Sequence, residues 1–525
     1  MKKWFKRHRR CLITCGAILV LSIVISRYFF RSGYFLTDDG EWAIIRLASM
    51  MRILKSGQFP ARWSYYLNHG YGYPLFNFVY PLPYYLGVPL SFIFGLINTI
   101  KLEFALTVLL SGLGMYVLVK NFWGQAAGLL AAGFYLLAPF RLVNLYVRGS
   151  LGESWAMAFY PWIFWAIKTR RWLLTGFLLA GLILSHNVSA LFFIPIAFIY
   201  SLVIFSKHSK HDILNTIYCF VTAFALSAFF WLPALLEKKY LILSQSALTD
   251  KSQHFISLSR LLFSPWGYGS PLSDAPFTFQ IGWPAMICAS LGFVLSLRSK
   301  KRNKFLKFGI WHLAFLIFTM LPISEPFWNL SLLNQVDFPW RLLGPASFFL
   351  SLSAVSLAQK KAWRPLVVGA LVLSAFLYLP QAKPAQSLVK SDGYYYSNDA
   401  TTTSADELMP VWVKQKPLQR PAEPLQLDFS VNLNQAETLT INQLYFPGWQ
   451  AWVDDQAVAV QPEGEQGLIG IPMPVGQHDV KVKLTSTPIQ KLSNLISLFS
   501  LIGILLAAII NLIHVAALSR CKESC

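Results

Sequence analysis

The sequence predicts a polytopic α-helical membrane protein that carries a β-sandwich-like domain towards its C-terminus. Three observations predict it. Hydrophobic residues make up 55% of the 525 residues, charged residues only 13%, and the mean hydropathy is +0.47. Apolar runs of bilayer-spanning length recur from end to end, and inside a bilayer a helix is the simplest way for a single segment to satisfy its own backbone. One long stretch, 381–490, breaks the pattern and alternates apolar with polar residues at a period of two, the spacing of half-buried strands.

The apolar runs fall near 11–30, 79–97, 102–119, 125–140, 154–167, 172–185, 190–205, 213–231, 281–297, 305–321, 342–357, 365–379 and 492–518. They lead us to expect about 12–14 transmembrane helices. The net charge of +21 is not spread evenly: basic residues cluster at 2–10, 168–171, 207–210, 298–304 and 360–364, between the runs. That is the pattern of cytoplasmic loops, not of a nucleic-acid surface, so both termini are expected in the cytoplasm of a cell whose plasma membrane holds the chain. The first run has the layout of a signal peptide but lacks a small-residue cleavage site, and reads as an uncleaved first helix. Crossings between the N-terminus and Arg170 must be even in number, yet five apolar runs occur there. The Pro-rich run 79–97 is the one expected to be re-entrant or broken.

On this topology the segments 33–80, 237–280, 324–340 and 381–491 lie outside. The expected organisation is a transmembrane core over 1–380, with its first external loop at 33–80. An extracytoplasmic β domain follows over 381–490, then a last helix and tail over 491–525. Within the β domain the runs 425–433, 438–446, 451–460 and 478–485 are the expected strands, with Asp454–Asp455 as a turn. The six cysteines show neither zinc-ligand spacing nor a disulfide framework.

The first external loop is the richest in chemistry. Asp38 and Asp39 stand together just beyond the first apolar run, with Glu41 behind them. Such carboxylates either act as a general base or hold a divalent cation such as Mg or Mn, or TDDG simply caps the helix that follows. His69 sits among Tyr65, Tyr66, Tyr71 and Tyr73 in a Gly-rich loop, which reads as a sugar platform or as an interfacial aromatic belt. Further along, Arg148 and Glu153 interrupt apolar sequence, as do His186 and Asn187; Asp337 and Arg341 open another run. Charges near membrane depth pair with each other or with a ligand, and guanidinium matches phosphate geometry.

The motifs DGEW, SGQFPARW, HGYGYPLFNFVYPLPYYLG, LYVRGSLGES, SHNVSALFF and FPWRLLG together resemble the 6-pyruvoyl-tetrahydropterin synthase-related family of membrane proteins, over about residues 35–350. The run YFPGWQAWVDDQ is similar to the ending of YfhO-like membrane proteins. The soluble pterin enzyme's zinc-binding histidines have no counterpart here. Both groups look like members of the GT-C glycosyltransferase superfamily, which implies a GT-C-like helical core and an acidic motif in the first external loop. The resemblance puts that motif on Asp38 and Asp39, and the family's polar signatures on His69, Arg148, Glu153, His186 and Arg341. The chain departs from the family pattern at Glu41–Trp42, where a histidine is expected.

The implied activity is transfer of a sugar from a polyprenyl-phosphate donor to an extracytoplasmic glycan or cell-envelope polymer. Asp38 and Asp39 would be catalytic. Glu41, His69, Tyr71, Tyr73, Arg148, Glu153, His186, Asn187 and Arg341 would bind substrate, and membrane lipid would surround the core. The competing reading is a non-catalytic transporter or flippase of lipid-linked sugars, or a degenerate scaffold of the same fold.

Overall fold

The computed structural model describes residues 2–205, 209–245, 249–297, 304–330, 333, 336–423 and 425–523, with side chains from residue 12 to 507 and at 509. The predicted basic clusters at 2–10, 207–210 and 298–304 fall wholly or partly outside what is described. The chain packs as two units, neither continuous in sequence: Met1–Arg52, Tyr80–Tyr218 and Ala247–Asn398 form the first, and Ile53–Val79, Cys219–Ser246 and Asp399–Cys525 the second. The linear division at 380 is therefore not the division that packing draws. The first external loop in particular is split at Arg52.

Helices dominate the first unit. By length and apolar composition, five described helices of the chain can cross a bilayer: Leu82–Leu136, Asn187–Ile204, Pro339–Gln359, Lys361–Gln381 and Pro488–Ala507. Two pairs, bent by 70° and 90°, raise this to seven if each pair is one span, and Leu12–Ile25, Trp172–Ser185 and Trp283–Leu297 are shorter apolar helices. The expectation of 12–14 counted every apolar run separately. Three of those runs, 79–97, 102–119 and 125–140, lie largely in the Leu82–Leu136 helix, whose backbone leaves helical geometry at Gly95 (φ 75°) and Gly124 (φ 83°).

The break at Gly95 bears on the parity of crossings. The piece before it, 82–94, is about 20 Å long at ~1.5 Å per residue, short of the ~30 Å hydrocarbon core. The following piece starts on a borrowed cap: the Asp392 carboxylate accepts the N–H groups of Leu96 (2.8 Å) and Ile97 (3.0 Å).

At the centre of this unit the Pro339–Gln359 helix is almost wholly buried. Its Phe348 ring meets Tyr135, Tyr160, Phe164 and Phe193, with centroids 5.2–6.2 Å apart. Lipid tails are as apolar as these rings, so such helices are held by close packing more than by the hydrophobic effect. Lys361–Gln381, by contrast, turns most of its apolar surface outward, as a lipid-facing helix does. A two-residue antiparallel ladder, β1 (Tyr34–Phe35) with β2 (Ser387–Leu388), ties the start of the acidic loop to the segment before Asn398.

The second unit contains the β domain. One sheet runs β3–β9–β5–β6 and the other β4–β8–β7, all pairs antiparallel. The strands are β3 Asp428–Leu433, β4 Glu437–Leu444, β5 Trp449–Val453, β6 Gln456–Val458, β7 Gln461–Glu463, β8 Leu468–Met473 and β9 Gly476–Leu484. Alternation decides the inner face: Ala451 lies opposite Val482 and Val453 opposite Val480, all buried. Each fully buried valine contributes about 1.5 kcal/mol or more. The β5–β6 hairpin turns at Asp454 and Asp455, both at positive φ (52° and 61°), the geometry that matches strand twist in a two-residue turn. The aromatic loop joins this unit through Trp63, whose indole N–H donates to Gln443 (2.9 Å), and through the amide of Leu444, which donates to the Tyr71 carbonyl (2.8 Å).

Candidate functional site

Four residues, Thr37 to Gly40, start the helix Gly40–Lys55. Its cap is Thr37, whose hydroxyl accepts the Gly40 N–H at 3.0 Å, so the carboxylates of Asp38 and Asp39 are not spent on capping. Their backbone is held instead: the Asp38 N–H donates to the Val147 carbonyl (3.0 Å) and the Asp39 N–H to the Arg148 carbonyl (2.7 Å). This approach needs Gly149 (φ 63°), where a Cβ would lie 2.4 Å from the Thr37 hydroxyl and 2.6 Å from the Gly40 nitrogen.

The Asp38 carboxyl is pushed up to about 6, by the protein packed around it and then by the charge of Asp39, while Arg148 pulls the other way. The side chain still reaches solvent. A carboxyl with this value is ionised at neutral pH yet basic enough to take a proton.

Behind the pair lies a buried ionic cluster centred on Glu153. One oxygen, Oε2, accepts from Arg148 Nη1 at 2.5 Å, and the same nitrogen donates to Asn144 Oδ1 at 2.6 Å. The other oxygen, Oε1, faces Arg341 Nε at 3.5 Å and His186 Nε2 at 3.6 Å and makes no hydrogen bond. His186 precedes the Asn187–Ile204 helix and caps it: its Nδ1 accepts the Ser189 N–H at 3.2 Å. That assigns the ring proton of the neutral tautomer to Nε2, on the Glu153 side. The guanidinium carbons of Arg148 and Arg341 lie 4.7 and 5.8 Å from the ring centroid of Trp340, and the Tyr80 ring lies 5.8 Å from that of His186.

Thus Asp38, Asp39, Arg148, Glu153, His186 and Arg341 share one neighbourhood. Glu41 is bound elsewhere in the same unit: its Oε1 accepts from Lys390 Nζ and from the Tyr395 hydroxyl, both at 2.9 Å. Asn187 is exposed in the first turn of its helix. His69, Tyr71 and Tyr73 belong to the second unit. There the His69 N–H donates to the Asp399 carbonyl (2.7 Å), and Nδ1 stands 3.6 Å from its carboxylate. Tyr73 is fully buried, its hydroxyl 2.9 Å from that of Thr402, so its ring braces the loop and offers no face to a sugar. Glu103 and Arg46 are among the charged residues that the sequence reading passed over. Glu103, buried, accepts the Trp155 indole N–H at 2.9 Å, and Arg46 is buried near Trp42, 5.8 Å from its ring centroid. Each interrupts apolar sequence, Glu103 between Leu102 and Phe104 and Arg46 between Ile45 and Leu47, and that was the signal. Among the described residues, no three His, Cys, Asp or Glu side chains converge as a metal site.

A family model described as 6-pyruvoyl-tetrahydropterin synthase related domain, membrane protein, matches residues 76–387. A curated relative, an uncharacterized protein of Lactococcus lactis subsp. cremoris (strain MG1363), is 25% identical over 345 residues, which is 62% of this chain and 54% of that protein. The chain thus matches about half the length of that relative. Among solved structures, the mycobacterial arabinofuranosyltransferase AftD is similar at TM-score 0.48 and 17% identity, over 74% of this chain and 28% of its own. The oligosaccharyltransferase of Archaeoglobus fulgidus is similar at 0.47 and 14%, over 77% and 62%. ArnT from Cupriavidus metallidurans, bound to undecaprenyl phosphate, is similar at 0.41 and 15%, over 70% and 64%.

Proposed function

The chain belongs to the family of membrane proteins described as 6-pyruvoyl-tetrahydropterin synthase related domain, and from that premise we propose that it is a GT-C-type glycosyltransferase. It takes a sugar from a polyprenyl-phosphate donor and passes it to an extracytoplasmic glycan or cell-envelope polymer. One observation carries the reading: an acidic pair left free of helix capping is bonded through its backbone to the segment that bears Arg148. A base for a hydroxyl and a cation for a phosphate are thereby fixed together.

In the proposed step the acceptor hydroxyl oxygen attacks the anomeric carbon, and its proton passes to the Asp38 carboxylate. The bond from that carbon to the phosphate oxygen breaks, and the electron pair leaves on the phosphate. Arg148 and Arg341 would meet that charge; Glu153 pairs with the first at 2.5 Å and faces the second at 3.5 Å. Asp39 keeps Asp38 basic. A divalent cation, if the enzyme uses one, would sit on Asp38 and Asp39, whose mutual repulsion it would relieve, and it would supply charge neutralisation at the phosphate. The donor's prenyl chain lies among the helices and keeps its headgroup at the outer face.

The test is transfer of radiolabelled sugar from a panel of polyprenyl-phosphate donors to membrane acceptors. Asp38→Asn is expected to lower turnover by about 10²–10⁴, the range for loss of a general base, with the protein still folded. Turnover unchanged in both Asp38→Asn and Asp39→Asn would remove the acidic pair from the mechanism. No transfer by the wild type across the panel would favour the flippase or the degenerate scaffold.

A further inference from the structure

We infer that the second unit holds a separate binding site for an uncharged saccharide, in a hollow of about 60 Å³ between the aromatic loop, the β domain and the start of the last helix. Its floor is buried and polar: Arg62, Asn77 and Gln490 line it, with the Trp63 and Phe446 rings beside them. Its rim is mixed, with Gln58, Ser486 and the exposed Phe59 ring among the lining residues. Polar groups beside one exposed ring, that of Phe59, suit a sugar, which has apolar C–H faces and a rim of hydroxyls.

The charge balance of the floor selects a neutral ligand. Arg62 Nη1 donates to Asn77 Oδ1 (2.7 Å), and Nη2 donates to the Phe229 carbonyl and to Asn494 Oδ1, both at 2.8 Å. Asn77 Nδ2 in turn donates to Glu237 Oε2 at 2.8 Å, which also accepts from Gln490 Nε2 at 2.9 Å, while the Thr487 hydroxyl bonds Glu237 Oε1. The cation and the anion are thus one amide apart, and the terminal nitrogens of the guanidinium are already engaged. An anionic headgroup would meet Glu237 as well as Arg62, whereas hydroxyls can join the amides at no electrostatic cost. The hollow is small, about 60 Å³, so it takes one edge of a single terminal sugar while the rest of the glycan stays in solvent.

The experiment uses the full chain in detergent, with free methyl glycosides of glucose, galactose, N-acetylglucosamine and rhamnose as probes, read by saturation-transfer NMR. At least one glycoside is expected to bind saturably. Ser486→Trp, which plugs the mouth, and Phe59→Ala, which removes the exposed ring, should each weaken it by about tenfold or more, a change of ~1.4 kcal/mol. Asp38→Asn should leave this binding as it is, which separates the site from the transfer reaction: transfer can fail while the saccharide site stands, and the reverse. Absence of binding by all four probes would overturn the inference, as would binding indifferent to Phe59→Ala. So would displacement of the glycoside by inorganic phosphate, which would mark an anion site.

Discussion

The amide of Asp39 donates to the carbonyl of Arg148 across 2.7 Å, so the acidic motif and the arginine proposed to meet the phosphate are joined by backbone. Backbone contacts do not depend on side-chain rotamers, and they keep the two segments that bear the charges side by side. The consequence for pH is direct. The proposed base must be ionised to act, and Asp38 is pushed up to about 6, with burial and Asp39 raising it. Turnover should therefore climb about tenfold per pH unit below 6 and level off above it. Asp39→Asn removes the like charge and should move that acid limb to lower pH. A profile flat from pH 5 to 8 would exclude Asp38 as the base.

The same shift has a stability sign. The folded-state value lies above the ordinary 3.8, so protonation favours the folded state. This carboxyl's favourable contribution is complete below about pH 4 and lost as pH rises through about 6. Asp38→Asn is accordingly expected to raise the thermal midpoint at pH 8 relative to wild type, and to change it less at pH 5. Thermal unfolding in detergent at the two pH values checks this.

Glu153 is the anion that makes a buried cation cluster tolerable. Its side chain is 3% exposed, and it meets Arg148 at 2.5 Å, Arg341 at 3.5 Å and His186 at 3.6 Å. Truncation to alanine leaves Arg148 buried without its counter-ion, which costs about 3–5 kcal/mol. Glu153→Gln, which keeps an acceptor, should cost less. The double variant Glu153→Gln with Arg148→Gln should cost less than the sum of the two singles, because each residue compensates the other. Additive losses would show that the pair is not coupled.

How much of this was legible in the sequence follows from the range of each interaction. Strands β3, β4, β5 and β9 fall in runs whose alternation marks them, and Asp454–Asp455 form the turn their composition suggests. Strand β8, LIGIPM, is nearly all buried and so lacks alternation, while β7 has only three residues; neither leaves a pattern to read. Arg148 and Glu153 stand in one short stretch between apolar runs, so their pairing is one of the alternatives that the cost of charges at membrane depth allows. Glu41 and its partner Lys390 are 349 apart, and no local pattern encodes such a contact. The role of Thr37 was hidden for another reason: Thr, Asp and Asp in TDDG all favour caps, and only geometry shows that the hydroxyl takes the role and leaves the carboxylates.

Asp392 supplies a cap at long range. Its carboxylate takes the first two amides after the Gly95 break, and a Cβ at Gly95 would fall 2.3 Å from Asp392 Oδ2. Loss of one such cap costs about 1 kcal/mol. In Asp392→Ala the amides of Leu96 and Ile97 should exchange with solvent faster, while those deep in the Pro339–Gln359 helix stay protected. Exchange unchanged at Leu96 and Ile97 would mean that the break holds without its cap.

The last prediction tests the close approach that builds the site. Gly149 sits at φ 63°, and its missing Cβ leaves room for Thr37 and Gly40, which a methyl group would meet at 2.4 and 2.6 Å. An alanine there is penalised twice, by a backbone conformation that L residues rarely adopt and by collision with the main chain of the cap. The chain can relieve the collision only by moving Thr37–Gly40 away from Val147–Arg148, which lengthens the two hydrogen bonds of Asp38 and Asp39. Gly149→Ala should therefore lower the thermal midpoint by an amount matching about 1–3 kcal/mol. It should also reduce transfer about as far as Asp38→Asn, because a displacement near 1 Å costs about 10²-fold when reacting groups must be aligned. Ser150→Ala, one residue on, whose hydroxyl takes no part in the backbone approach, is the matched control. If Gly149→Ala loses stability but keeps full transfer, the acidic pair does not need its contact with the Arg148 segment, and the proposed division of labour between base and phosphate-binding cation falls.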